Sequence, residues 1–120
     1  MRYLMLYRPA DTSAMESGAP PTLELMTQMG SLIQRKIGEG KLLSTEGCAA
    51  TSNGALVTLT KGKLGVTDGP FSETKEIIGG FAMFQLKSKQ EAIAEAREFL
   101  ELGGDGTVEI RLIHDPVCVD

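Results

Sequence analysis

The order of apolar runs along the chain constrains its fold more than any single motif does. Extended and helical patterns follow one another as strand, helix, strand, hairpin, strand, helix, strand. Without the hairpin this order is two β-α-β units, which predicts a ferredoxin-like antiparallel sheet with both helices on one face. The sequence therefore predicts an α+β fold with an extra β-hairpin, in a single domain that spans residues 1–120.

The strands are apolar on both faces. In residues 1–7, Tyr3, Met5 and Tyr7 share one face and Leu4 and Leu6 share the other. The run "GGFAMFQL" (79–86) shows the same two-sided pattern. Because one layer of helices covers only one face of a sheet, the pattern predicts a homodimer that packs sheet against sheet, with a cleft between sheet and loops.

Both helices carry start signals. Thr22 is placed to cap the first helix, and "SKQE" from Ser88 to Glu91 is a capping box for the second. The apolar spacing predicts that the buried stripes are Met26, Met29, Ile33 and Ile37 in the first helix, and Ile93, Ala96 and Leu100 in the second.

Turn signals divide the rest of the chain. Residues 8–21 are rich in Pro, Ser, Ala and Gly, and predict a long loop or lid. Asn53-Gly54 predicts a turn, and Lys61-Gly62 joins "ALVTLT" (55–60) to "KLGVT" (63–67) as a hairpin.

Charge and composition narrow the classes of partner. The net charge is −4 and the basic residues form no cluster, so we expect no nucleic-acid binding and no attraction to anionic membranes. The N-terminal apolar run is too short for a signal peptide or a membrane span, which favours a cytoplasmic protein. In that compartment Cys48 and Cys118 are expected as free thiols, although a bridge between them stays open.

The sequence predicts no metal and no cofactor. One histidine and two distant cysteines do not supply the ligands that zinc needs. The chain has no phosphate-loop or dinucleotide fingerprint, because "GGDG" (103–106) follows a helix instead of opening one.

The stretch "DGPFSETKEIIGGF" (68–81) holds the most distinctive residues. Asp68 can bond the amides of its own turn, and Pro70 fixes the direction of the chain. Paired glycines directly before a strand indicate close approach by another backbone or by a ligand. The residues predicted to bind a ligand are Gly69, Pro70, Phe71, Lys75, Gly79 and Gly80.

Three side chains are candidates for acid–base chemistry, each with a structural alternative. Asp68 in a partly dry cleft can act as a general acid or base, or simply cap the turn. Glu46 faces either the cleft or solvent, and next to Asp68 it would complete an acid–base pair. His114 can shuttle protons or lie at the surface, and Lys75 can hold an anion or pair with a neighbouring glutamate.

The same stretch resembles the signature DGPFAETKE of the DGPF family, within the YCII-related superfamily, with Ser72 in place of the usual alanine. "STEGC" (44–48) and "GTVEIRLI" (106–113) match the second and last strands of that family. The resemblance implies a dimeric α/β barrel of ferredoxin-like subunits, often found with sigma factors of the extracytoplasmic type. It also implies a cleft where an acid meets a histidine, but this chain lacks the early histidine of YCII-like proteins.

Two functions follow as hypotheses. The first is an enzyme, or enzyme-like protein, that uses Asp68 in proton transfer on a small polar or anionic molecule. The second is a non-catalytic dimeric module that binds a small ligand or a regulatory partner. A third interpretation is that the corner at residues 68–71 serves the fold alone.

Overall fold

The computed structural model describes residues 1–71, 73 and 77–114. Its main sheet has four strands in the order β2-β5-β1-β6, and each neighbouring pair is antiparallel. A separate antiparallel hairpin is formed by β3 and β4. The strands are β1 (Arg2–Pro9), β2 (Leu42–Gly47), β3 (Ala55–Thr60), β4 (Lys63–Asp68), β5 (Gly80–Gln85) and β6 (Gly106–Leu112).

Two long helices pack against one face of the main sheet: α2 (Leu23–Gly38), which connects β1 to β2, and α3 (Lys89–Gly103), which connects β5 to β6. With the hairpin set aside, the strand order is that of a ferredoxin-like fold, so the α+β prediction agrees with the structure. The molecule measures 20 Å in its shortest dimension, which fits one helix layer on one sheet. A dimeric barrel lies beyond what a single chain displays.

The predicted helix starts are confirmed by side-chain caps. The Thr22 hydroxyl accepts a hydrogen bond from the Leu25 amide at 3.1 Å. The Ser88 hydroxyl accepts one from the Glu91 amide at 3.2 Å. Each cap satisfies an amide that the first turn of a helix leaves without a partner.

The core lies between the helices and the sheet. Tyr3 and Met5 are each 5% exposed and pack with Phe84, Ala92 and Ala96. Alternate residues of β1 therefore face the helices, as predicted. The opposite, open face of the sheet carries Leu4, Leu6, Phe81 and Met83, all half-buried.

The predicted helix stripes are only partly right. Met29 and Ile33 face the core, but Met26 and Ile37 are 47% and 50% exposed. Ile93 of α3 is also exposed. The helices are turned toward each other so that charged side chains meet at their contact, and this rotation moves the outer apolar positions into solvent.

Residues 8–21 differ from the predicted uninterrupted loop. The first strand continues to Pro9, and a short helix, α1 (Ser13–Glu16), follows. The side chain of Asp11 accepts hydrogen bonds from the Ser13 amide and hydroxyl, which favours a helical start there. Among the described residues, no helix has the length and apolar character needed to cross a membrane.

We call the β3–β4 hairpin the arm. Its turn is Lys61-Gly62, with both residues at positive φ (50° and 81°), the conformation of a two-residue hairpin turn. The predicted hairpin is thus confirmed. Every residue of the two strands except Gly65 is exposed.

Candidate functional site

A cavity of about 340 Å³ lies between the two long helices and the sheet. Its walls are mainly apolar and include Met5, Met29, Ile33, Leu42, Phe84 and Phe99. Protein interiors rarely hold voids much larger than a water molecule. A cavity of this size falls in the range that small-molecule sites occupy.

The cavity arises from a decrease in side-chain size along β5. On the face toward the helices, Phe84 lies opposite Tyr3, Ala82 opposite Met5, and Gly80 opposite Tyr7. Phe84, the largest of these three β5 residues, packs in the core beneath α3. Toward Gly80 the strand itself contributes no side chain, so the cavity forms at that end, between Tyr7 and Phe99 and the glycine.

The paired glycines at residues 79 and 80 lie in close packing, against backbone atoms at Gly80 and against side chains at Gly79. A Cβ on Gly80 would lie 2.8 Å from the carbonyl oxygen of Glu46, and one on Gly79 would lie 3.1 Å from Pro9. The Gly79 amide donates to the Tyr7 carbonyl at 2.7 Å. The close approach that the sequence indicated is therefore made by neighbouring strands, and both glycines also line the cavity.

One wall of the cavity holds a buried ion pair. Lys36 of α2 is 8% exposed, and its Nζ lies 2.9 Å from Glu95 Oε2 and 2.9 Å from Glu98 Oε1 on α3. Burial works to lower the pKa of Lys36, but its hydrogen bonds to Glu98 and Glu95 and their charges raise it above its ordinary value. The hydrogen bond from Lys36 holds the pKa of Glu98 below its usual range. The cluster is thus a fixed ion pair at neutral pH, unsuited to proton transfer.

An aromatic pair forms another part of the lining. The rings of Tyr7 and Phe99 meet edge to face, with centroids 4.9 Å apart. The Tyr7 hydroxyl lies 3.4 Å from the Asp105 carbonyl oxygen, to which it donates. Burial and the charge of Asp105 raise the pKa of Tyr7, so the phenol stays protonated and can donate a hydrogen bond.

The structure separates the predicted site residues into two groups. Glu46, Gly79 and Gly80 line the cavity, whereas Asp68, Gly69, Pro70 and Phe71 are not among its lining residues. In β2, Glu46 lies opposite Phe81, so its side chain belongs to the open face of the sheet. His114 is exposed after β6. Lys75, like Cys118, lies outside the described residues.

Asp68 is an exposed residue at the end of β4, where the arm meets the body of the molecule. The corner that follows it packs on a 3-10 turn, Thr51–Asn53. A Cβ on Gly69 would overlap the Thr51 carbonyl oxygen, and the Phe71 amide donates to the Thr51 hydroxyl at 3.0 Å. Glu16 of α1 accepts hydrogen bonds from the amide and the hydroxyl of the same threonine. We call this cluster of Glu16, Thr51, Gly69 and Phe71 the arm anchor.

Sequence reasoning missed four lining residues: Tyr7, Lys36, Glu95 and Phe99. Lys36 follows Met29 and Ile33 at helical spacing, and Glu95 shares its spacing with Ala92 and Ala96. Charged residues within an apolar stripe on two facing helices are the signal of a buried ion pair between them. The position of Lys36 in the last turn of α2, where basic residues are common, conceals this signal.

Within residues 1–71, 73 and 77–114, no three His, Cys, Asp or Glu side chains are grouped closely enough to hold a metal ion.

Comparison with known proteins identifies the chain by sequence. The model of the YCII-related domain matches residues 1–115. An uncharacterized protein of Rhizobium meliloti (strain 1021) is 36% identical over 83 residues, 68% of this chain and 67% of the relative. A solved structure of 5-chloro-2-hydroxyhydroquinone dehydrochlorinase from Burkholderia phenoliruptrix AC1100, in complex with 2,5-dihydroxybenzoquinone, covers 96% of both chains with 16% identity and a TM-score of 0.43. A likeness at that level carries no information on function.

Proposed function

The chain belongs to the YCII-related domain family, and we propose that it binds a small, mainly apolar molecule in the cavity between its helices and sheet. The observation that carries this proposal is the cavity itself, about 340 Å³ in a domain of 120 residues. A ligand that occupied this partly open cavity would make dispersion contacts with its mainly apolar walls.

The lining points to a neutral ligand with an aromatic or aliphatic body. The only cation of the described lining, Lys36, is already neutralised by Glu95 and Glu98. An additional anion would meet those carboxylates, so the polar or anionic ligand expected from the sequence fits this wall poorly. The Tyr7 hydroxyl donates its proton to the Asp105 carbonyl, so it is left as an acceptor for a hydroxyl of the ligand.

Binding is tested by thermal shift with a panel of neutral monocyclic phenols and short alcohols. A probe at about 100 times its Kd adds roughly 2.7 kcal/mol of stability, which raises Tm on the order of 10 °C in a domain of this size. Ala96→Phe fills the cavity from α3 and is expected to abolish the rise. Ala94→Phe, on the exposed side of the same helix, is the matched control and is expected to keep it.

Two results would contradict binding in the cavity. One is a panel that leaves the Tm of the wild type unchanged. The other is an Ala96→Phe variant that responds as the wild type does. Ala82→Leu fills the same space from β5. If both variants lose the rise in Tm, the loss is explained by the filled cavity and not by a folding defect peculiar to Ala96→Phe.

Catalysis remains a prediction from the sequence. Asp68 as the acid–base group, assisted by Glu46 or by His114, needs a substrate that reaches them. Of the three, only Glu46 borders the cavity, and its side chain belongs to the open face of the sheet. Once a ligand is known, Asp68→Asn and Glu46→Gln are compared with the wild type for turnover. Unchanged turnover in both variants would exclude these roles for Asp68 and Glu46. A ligand that the wild type binds but never converts would instead support a binding module.

We also propose membership of the DGPF subfamily, on the stretch at residues 68–81, and a homodimer in the cytoplasm that joins the open faces of two sheets as a dimeric α/β barrel. The support for the dimer is the apolar middle of the open face, where Leu4 and Leu6 lie beside Phe81 and Met83. Ion pairs among Arg8, Glu109 and Arg111 border it. Sedimentation of the Leu4→Glu variant tests this interface.

A further inference from the structure

The arm has one apolar face with no covering from its own sheet. Val57 lies opposite Val66 and Leu59 opposite Leu64, so these four side chains share a face. They are 67–76% exposed. The other face of the arm pairs Leu56 with Thr67, Thr58 with Gly65 and Thr60 with Lys63, so it is mainly polar with one leucine.

An apolar face of this kind needs a partner. A two-stranded hairpin is marginally stable by itself in water, and it gains stability when one of its faces is buried. The four side chains each offer about 100 Å² of apolar surface, on the order of 400 Å² per arm. The largest apolar patch on a typical soluble monomer measures about 300–600 Å² and is often functional.

Charge along the arm favours pairing with a second arm in the opposite direction. Asp68 lies at the base, opposite Ala55 and on the same face as the apolar residues. Lys61 lies in the turn at the tip. Six residues of strand span about 20 Å, so two fully overlapping antiparallel arms bring the tip of each beside the base of the other. Lys61 of each copy then lies beside Asp68 of the other, which gives two such pairs.

We propose that the arm packs face to face and antiparallel against the arm of a second copy of this chain. The contact is isologous, because the same patch serves both copies. Its apolar side chains supply on the order of 800 Å² over the two arms, and the flanking backbone and charges bring the total near the lower limit of about 1,200 Å² for specific interfaces. We expect a dimer of micromolar affinity through this contact.

This contact is separate from the proposed pairing of open sheet faces. If both form, the chain assembles as a tetramer, and loss of the arm contact leaves a dimer. If only the arms pair, the wild type is a dimer and loss of the contact leaves a monomer. In either case, an arm variant halves the mass of the assembly, so the two proposals are judged separately.

The test is sedimentation equilibrium of the wild type, Leu64→Glu and Thr67→Glu across about 1–500 µM. Leu64→Glu places a carboxylate in the apolar face near the partner's base, and it is expected to weaken association at least ~30-fold. Thr67→Glu adds the same charge to the opposite face of the same strand and is expected to leave the mass unchanged. Neither position lies in the core, so circular dichroism should show a retained fold.

Charge reversal tests the antiparallel orientation. Lys61→Glu and Asp68→Lys each place like charges together and are expected to weaken association several-fold at low salt. The double variant Lys61→Glu/Asp68→Lys restores opposite charges and is expected to recover the wild-type mass.

The inference is overturned by any of three results: a wild type that stays monomeric over the whole range, a Leu64→Glu variant with the wild-type mass, or equal effects of Leu64→Glu and Thr67→Glu. An arm variant that halves the mass without rescue by the double variant would overturn the antiparallel orientation. A Leu64→Glu variant that settles as a dimer while the wild type is a tetramer would support both contacts.

Discussion

The buried ion pair beside the cavity gives the most quantitative prediction. In Lys36→Met, a methionine of similar length keeps the packing but removes the nearer of two cations that reach Glu95, which is 8% exposed. Breaking a buried pair from one side costs about 3–5 kcal/mol, because the partly exposed Lys41 that remains at 3.5 Å compensates the buried carboxylate only in part. In a domain of 120 residues this corresponds to a fall in Tm of roughly 10–25 °C.

Lys41→Met is the matched control for this prediction. Lys41 also reaches Glu95, at 3.5 Å, but about a third of its side chain is exposed. Exposed pairs contribute about 0–1 kcal/mol, so the control should lose little stability. Urea denaturation at pH 7 measures both variants. A loss below about 1 kcal/mol in Lys36→Met would refute the reasoning, since it would mean that water reaches Glu95 through the cavity.

The pH dependence of this stability follows from the two shifted groups. The pKa of Glu98 is lowered in the fold, so its stabilising contribution is present above its unfolded value and is lost as pH falls through the folded one. The pKa of Lys36 is raised, so its contribution is present below its unfolded value and is lost as pH rises through the folded one. We expect a plateau of stability between about pH 5 and 10 that declines on both sides. Urea midpoints of the wild type within that range and on both sides of it check the prediction, and no decline below about pH 5 would contradict it.

Four further substitutions test local structure. Gly69→Ala forces a Cβ into the Thr51 carbonyl and should lower the free energy of unfolding by about 1–3 kcal/mol. Gly30→Ala lies at an open helical position and should raise it by about 0.5–1 kcal/mol. Urea denaturation measures both variants, and equal effects would contradict the close approach at Gly69. Glu16→Gln weakens two charge-assisted hydrogen bonds at the arm anchor and should lower the free energy of unfolding by about 1–3 kcal/mol. Limited proteolysis near residues 10–21 should also become faster. Wild-type behaviour in both assays would contradict this role of Glu16. Ser88→Ala removes the cap of α3 and should cost about 1 kcal/mol in the same denaturation assay, unless water replaces the cap.

The fold was largely predictable because its determinants are local. Two caps, a two-residue hairpin turn and alternating apolar residues in β1 each specify a conformation within a few residues. The faces of α2 and α3 were harder to predict. Apolar spacing favoured Ile37 as a core residue, but pairing of Lys36 with α3 turned that position outward. Such a rotation depends on contacts between distant segments, which the sequence of one helix does not contain.

The site was predictable only in part. Gly79 and Gly80 were found because paired glycines report close packing, and they do line the cavity. Asp68 was favoured because acids beside rigid turns often work in clefts, but the structure places it at the base of the arm. The cavity itself depends on the decrease from Phe84 to Gly80 in register with β1, and register is a tertiary property.

The distinctive corner now has a structural explanation that includes Asp68. The arm leaves the body beside Thr51 and returns at Gly69, whose amide donates to the Gly54 carbonyl at 3.0 Å. The arm anchor ties both ends of the arm to one buried threonine, and through Glu16 to the segment after β1. An arm that packs against a second copy gains most when its direction is fixed in advance, because less entropy is then lost on association. A rigid corner with a carboxylate at the arm's base therefore meets both needs of the proposed arm contact, a fixed direction and a charge for the partner's Lys61.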